Sequence, residues 1–149
     1  MYDDWLANMA VTIATVAVVA LVVLVQYEGL VALSRWLAHA AERPARRKVL
    51  YAIGAILVLH VIEIWLFGVV LWMLLQWPAT GTLAGDHQLH LFDTVYLSAI
   101  TFTTVGFGDL APVGAIRFLA GTEALVGFVM LGWSVSFTYL EMERYWRVR

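Results

Sequence analysis

The sequence predicts an all-α membrane protein: three transmembrane helices plus a re-entrant half-helix that leads into an irregular loop. Three observations carry that prediction. Of the 149 residues, 62% are hydrophobic and only 13% charged, and the mean hydropathy is +0.83, values far outside the range of a soluble domain. Three long apolar segments, residues 9–25, 51–77 and 113–139, each lie near or above the ~20 residues needed to cross ~30 Å of hydrocarbon as a helix. A fourth run, Leu91 to Phe102, is only about 18 Å long as a helix, about half a membrane. It leads into Thr103-Thr104-Val105-Gly106-Phe107-Gly108-Asp109-Leu110. Irregular backbone is tolerated at membrane depth only when it is buried in protein or lines a water-filled cavity, so the chain is expected to dip in and return on the same side.

The first span is expected to stay in the mature chain. Met1-Tyr2-Asp3-Asp4-Trp5 lacks the basic flank of a signal peptide, and the apolar run behind it is longer than a signal core. Residues 5–41 fit either one helix of about 55 Å or a helix bent near Gly29 into an amphipathic piece carrying Arg35 and Trp36. A peripheral position is expected for it. It holds none of the regularly spaced arginines of a voltage sensor.

Basic residues set the orientation. Arg35, Arg43, Arg46, Arg47 and Lys48 fall between the first two spans, and Arg144, Arg147 and Arg149 follow the third. Eight of the nine Lys and Arg residues thus share one side, which should be cytoplasmic. The amino terminus and residues 78–90 carry no Lys or Arg and belong outside, with the half-helix entering from that face. Arg117, near the outer end of the third span, is the exception. There are no cysteines, which excludes disulfides, thiolate metal sites and cysteine nucleophiles. The net charge of -2 says little about partners.

The loop after the half-helix has a backbone signature of its own. Successive carbonyls of an extended strand point in opposite directions, so a row facing one axis needs residues alternating between right- and left-handed regions, which glycine makes cheap. Glycines at every second position, Gly106 and Gly108, suit that alternation. Stacked carbonyl oxygens, with the Thr104 hydroxyl below them, can replace the hydration shell of a cation. One chain supplies one oxygen per ring, so a closed cyclic assembly of identical chains is needed.

Here the sequence resembles the potassium-channel superfamily. Thr104-Val105-Gly106-Phe107-Gly108-Asp109 is similar to the family's Thr-Val-Gly-Tyr-Gly-Asp signature, with Phe107 in place of the tyrosine, and the likeness extends over a helix, pore loop and helix unit from Val49 to Tyr139. The resemblance implies a selectivity filter in which Thr104, Val105, Gly106, Phe107 and Gly108 hold K+ as the permeant ion. Gly108 and Asp109 would form the outer mouth. It further implies a homotetramer in a lipid bilayer, similar to small bacterial channels of the inner membrane, with the amino terminus outside and the carboxyl terminus cytoplasmic. No enzymatic reaction, organic cofactor, nucleic-acid partner or small-molecule substrate is expected. The domain organisation follows: residues 1–48 an N-terminal helix and basic loop, 49–140 the pore domain, 141–149 a short tail. Ten residues after Tyr139 are too few for a ligand-binding gating domain, which places the expected gate in the membrane. Alternatives are a less selective cation channel, a non-conducting modulatory subunit, or a haem or metal protein using His39 and His60. The last is disfavoured because those histidines lie at different depths.

Other polar residues within the spans need partners, since a charge at mid-membrane costs ~2.5–3.5 kcal/mol on insertion scales. His60 and Glu63, three apart, share one helix face, and Glu123 lies in the third span. The plain expectation is helix–helix hydrogen bonding. The sharper one pairs Glu123 with His60 or a pore-helix hydroxyl such as Thr101 and couples gating to protonation, with His60 as a candidate sensor. Gly127 is placed at the hinge of the inner helix, with close packing as its competing role and Gly121 and Gly132 as rivals. The carboxyl end of the half-helix should aim its partial negative charge at the permeant ion, with His90 or Asp93 starting the helix and Tyr96 and Phe102 wedged around the filter. Some relatives place a glutamate behind the filter; Ile100 occupies that position here. His87 and His90, three apart, are read as solvated loop residues, because a metal site needs more ligands.

Overall fold

The computed structural model describes residues 4–39, 45–85 and 90–146. Arg43, His87, Arg147 and Arg149 lie outside the described residues. In chain order the elements are α1 (Trp5–His39), α2 (Ala45–Leu75), a 3-10 turn (Pro78–Thr80), β1 (Thr82–Ala84), α3 (Leu91–Phe102), β2 (Ala111–Val113) and α4 (Arg117–Trp146). Three of these helices are long and apolar enough to cross a membrane, and α3 is the short apolar one. The all-α membrane architecture is therefore the one the hydropathy pattern predicts, and α3 has the predicted ends.

α1 runs without a break for 35 residues, about 52 Å at 1.5 Å per residue, so the bent alternative is set aside. Gly29 serves packing instead. A β-carbon there would come within 2.8 Å of the Leu59 side chain, so its absence lets α1 lie close against α2. The buried residues of α1 include Val11, Thr15, Val18, Val22, Gln26 and Leu30, three or four apart, which is the inward stripe of a packed helix. α1 touches α4 as well as α2, and the buried Gln26 amide donates to the Ser134 hydroxyl at 2.8 Å and the Met130 carbonyl at 3.3 Å. In hydrocarbon such an amide needs a partner, so the bond fixes the register of α1 along α4.

α3 sits in the angle between α2 and α4. Gly68 of α2 lies against the Val95 main chain, where a β-carbon would approach the Val95 Cα to 2.7 Å. Phe67, Leu71, Leu97, Ile100, Phe102, Ile116 and Leu119 make up the centre of the buried cluster. The largest departure from the predicted elements is at residue 113. The apolar run of the third span opens at Val113, yet Val113 pairs with Thr82 in a short antiparallel ribbon, with Leu83 opposite Pro112 and Ala84 opposite Ala111. The ribbon ties the segment after α2 to the segment after the loop, and the Ile116 N–H donates to the Thr80 carbonyl at 3.1 Å. α4 therefore starts at Arg117.

Candidate functional site

α3 begins with the Asp93 carboxylate accepting the His90 N–H at 3.0 Å, which satisfies one of the donors left free at a helix start. At its other end the helix holds the loop by its own carbonyls. The Thr103 N–H donates to Ala99 at 3.2 Å, the Thr104 N–H to Thr101 at 2.9 Å and the Gly106 N–H to Ile100 at 3.0 Å. The last of these bonds reaches back six residues and fixes where the loop leaves the helix.

Beyond that anchor the backbone alternates. Positive φ occurs at Thr104 (60°), Gly106 (54°) and Gly108 (83°), while Val105 and Phe107 between them are not in that region. This is the alternation that the glycine spacing predicts. It begins two residues before the first glycine, at Thr104, where a β-branched residue takes a conformation unfavourable to it. Such strain persists only where the surroundings over-determine it, here the bonds from Thr104 and Gly106 to the end of α3.

The loop lies on the surface of the single chain. Residues 103–109 are exposed, Val105 by 55% and Phe107 by 71%, and a β-carbon at Gly106 or Gly108 would meet nothing within 4 Å. Its outer end is tied to α3 by the Tyr96 hydroxyl, which donates to Asp109 Oδ2 at 2.8 Å. Phe107 has no hydroxyl to offer; Tyr96 supplies one from the neighbouring helix instead. Phe102 is wholly buried, with its ring 5.8 Å from His60 and 6.5 Å from Phe67.

Two of the buried carboxylates, Glu63 and Glu123, fall into separate pairs. Glu63 Oε2 lies 2.8 Å from His60 Nδ1, on the shared face that their spacing predicts. Glu123 does not pair with His60; its partner is a hydroxyl of α3, as expected, but that of Ser98 and not Thr101. Its Oε1 lies 2.5 Å from the hydroxyl of Ser98, one turn earlier on α3 than Thr101. Thr101 stands one turn further toward the loop, about 4.5 Å along the helix axis, so the difference between the two hydroxyls is one of height. Ser98 also lies 2.8 Å from the Ile64 carbonyl, so one hydroxyl bridges α2, α3 and α4. No carboxylate comes from position 100, as expected, but one reaches the pore helix from α4. Gly127 sits where α4 crosses the end of α3, and a β-carbon there would fall on the Phe102 main chain. A β-carbon at Gly121 or Gly132 would meet nothing within 4 Å. Close packing thus accounts for Gly127 and sets it apart from its rivals. Sequence reasoning missed Ser98, Gln26 and Gly68; the available signal was a lone polar or small residue in an otherwise apolar helix. Among the described residues no cluster of three His, Asp or Glu side chains could hold a metal.

Comparison with known proteins fits this arrangement. A family model described as ion channel matches residues 55–141, which covers most of α2, all of α3 and the loop, and nearly all of α4. Protein LctB of Geobacillus stearothermophilus is 39% identical over 67 residues, 45% of this chain and 50% of that protein. Protein LctB of Bacillus caldotenax is 42% identical over 53 residues, 36% of this chain and 40% of that protein. The chain spans about half the length, or less, of these curated relatives. No solved structure matches it significantly. With the matched region covering more than half of the sequence and containing the half-helix, the alternating loop and both flanking spans, the chain belongs to the ion channel family.

Proposed function

We propose that the protein is a potassium-selective channel, a homotetramer that passes K+ down its gradient through four copies of the loop at Thr104–Gly108. The observation that carries this reading is the backbone alternation at Thr104, Gly106 and Gly108, because it turns successive carbonyls toward one side. Oxygens so arranged replace the waters of a cation without reorganising as it enters. A second support is the exposure of Val105 and Phe107 on the single chain. Apolar side chains beside a row of carbonyls require cover, and symmetry-related copies about an axis supply it. The exposed Asp109 would add negative charge at the mouth, and the carboxyl end of α3 would favour the cation from below. By the distribution of Lys and Arg, α1 starts outside and α4 ends in the cytoplasm. Purified protein in liposomes tests the proposal: K+ flux with little Na+ flux is expected. Equal fluxes would mean a nonselective cation pore, and absence of flux a modulatory subunit.

The Glu123–Ser98 contact should hold the pore helix against the inner helix. Ser98→Ala leaves the buried carboxyl without its partner, at a cost of about 1–3 kcal/mol per chain, so the assembly should melt lower by several degrees in a thermal shift assay. Glu123→Gln keeps a hydrogen-bonding group of the same shape and should melt near the wild type, while altering the pH dependence of the current. An unchanged pH profile in Glu123→Gln would remove any link between this carboxyl and gating.

A further inference from the structure

A cavity of about 590 Å³ lies between α1 and α2 toward the ends that carry the basic residues, lined by Gly29, Leu33 and Trp36 on one side and Tyr51, Gly54 and Val58 on the other. We propose that it binds one acyl chain of an anionic phospholipid of the inner leaflet, with the headgroup phosphate held by Arg46 and Arg47.

Helix periodicity places the charges. Arg47 precedes Tyr51 by four residues and Gly54 by seven, so it heads the same face of α2 that lines the cavity, with Arg46 beside it. Both arginines are exposed. On α1 the lining residues Gly29, Leu33 and Trp36 repeat at four and three, and Arg35 adjoins the last of them. The sequence thus sets Arg47 one turn of α2 beyond the lining residue Tyr51, and Arg35 next to the lining residue Trp36. Trp36 and Tyr51 meet edge to face across the cavity, ring centres 5.6 Å apart, as aromatic residues do at the boundary between hydrocarbon and headgroups.

Depth agrees with charge. From Arg47 to Val58 α2 rises about 16 Å, half of a hydrocarbon layer of about 30 Å, so a lipid whose phosphate meets the arginines would end its chain at the bilayer centre. The groove opens sideways, since Leu50 and Val58 are each 61% exposed and Trp36 41%. A phospholipid can therefore enter from the membrane. Basic clusters at the cytoplasmic ends of spans attract anionic headgroups, each cation contributing to the affinity, whereas a zwitterionic lipid gains little from them.

The proposal rests on the cytoplasmic placement of this end, but its test does not. Native mass spectrometry of the detergent-solubilised assembly, titrated with phosphatidylglycerol or phosphatidylcholine, reads binding without reference to orientation or conduction. Phosphatidylglycerol should be retained at least tenfold more strongly. Arg46→Gln with Arg47→Gln should weaken it roughly thirtyfold, the scale of two interfacial cations, and leave phosphatidylcholine unchanged. Gly54→Leu should displace lipid by filling the groove with the arginines intact, and a β-carbon at Gly54 meets nothing within 4 Å, so the fold should tolerate it. Equal retention of the two lipids, or wild-type affinity in both variants, would overturn the site. So would quantitative disulfide-linked dimers of Gly54→Cys in this cysteine-free chain, because a second copy would then occupy the groove.

Discussion

Gly106→Ala should abolish discrimination between K+ and Na+ while leaving the assembly intact. Gly106 has φ of 54°, and an L-residue in that region costs roughly 1–2 kcal/mol. In the proposed tetramer every copy bears that cost at one level of the pore, so about 4–8 kcal/mol favours a rearranged loop. No atom lies within 4 Å of a β-carbon built there, so within the chain the penalty is conformational and not steric. A D-alanine at the same position bears on the two causes, because its mirror-image preference favours positive φ while it adds a methyl of the same size in place of the other α-hydrogen. The semisynthetic D-alanine protein should regain K+ selectivity in liposome flux, whereas L-alanine should not. If both forms lose selectivity, space between the copies governs the site and the backbone argument fails. Gly108→Ala, at φ of 83°, should follow the same pattern.

Residue type revealed the elements and the backbone of the loop better than it revealed the neighbours. The half-helix ends where the apolar run ends, at Leu91 and Phe102, because helix length and membrane thickness are one-dimensional quantities. The alternation at Gly106 and Gly108 was legible for a similar reason: glycine is the residue for which positive φ is cheap. Thr104 was not, since nothing in a threonine announces φ of 60°. Partners across helices were harder still. Periodicity states which residues share a face, and it brings His60 and Glu63 together correctly. It does not state which hydroxyl on α3 stands at the height of Glu123, a matter of crossing angle and offset, and so it leaves Thr101 as open as Ser98, which serves. Val113 misleads because an apolar residue next to an apolar span looks like its beginning. The pairing with Thr82 depends on a segment 31 residues away, which hydropathy cannot see. For α1 the buried amide of Gln26, bonded to α4, fixes a contact that the apolar pattern of the helix does not specify.

Gly127→Ala should cost the protein its stable assembly, not merely its opening. As a hinge, Gly127 would supply flexibility, and alanine, a better helix former by about 1 kcal/mol, would straighten α4, stabilise the fold and reduce open time. The structure places a different demand on the position. A β-carbon at Gly127 would fall on the Phe102 carbonyl and main chain, and rigid backbone cannot yield as a side-chain tip can. Phe102 is the last residue of α3 and wholly buried, so α4 would have to retreat from the helix end that anchors Thr103, Thr104 and Gly106. Overpacking of this kind costs typically about 1–3 kcal/mol per chain, repeated in every copy of the proposed tetramer, which outweighs the gain in helix propensity. The expected result is a lower melting temperature, loss of the assembled species on size-exclusion chromatography and loss of ion discrimination in what remains. Gly121→Ala and Gly132→Ala provide the comparison, since a β-carbon at either meets nothing within 4 Å and both should assemble at least as well as the wild type. If Gly127→Ala instead assembles normally and melts higher while conducting less often, flexibility is the role of this glycine and the close approach to Phe102 is incidental.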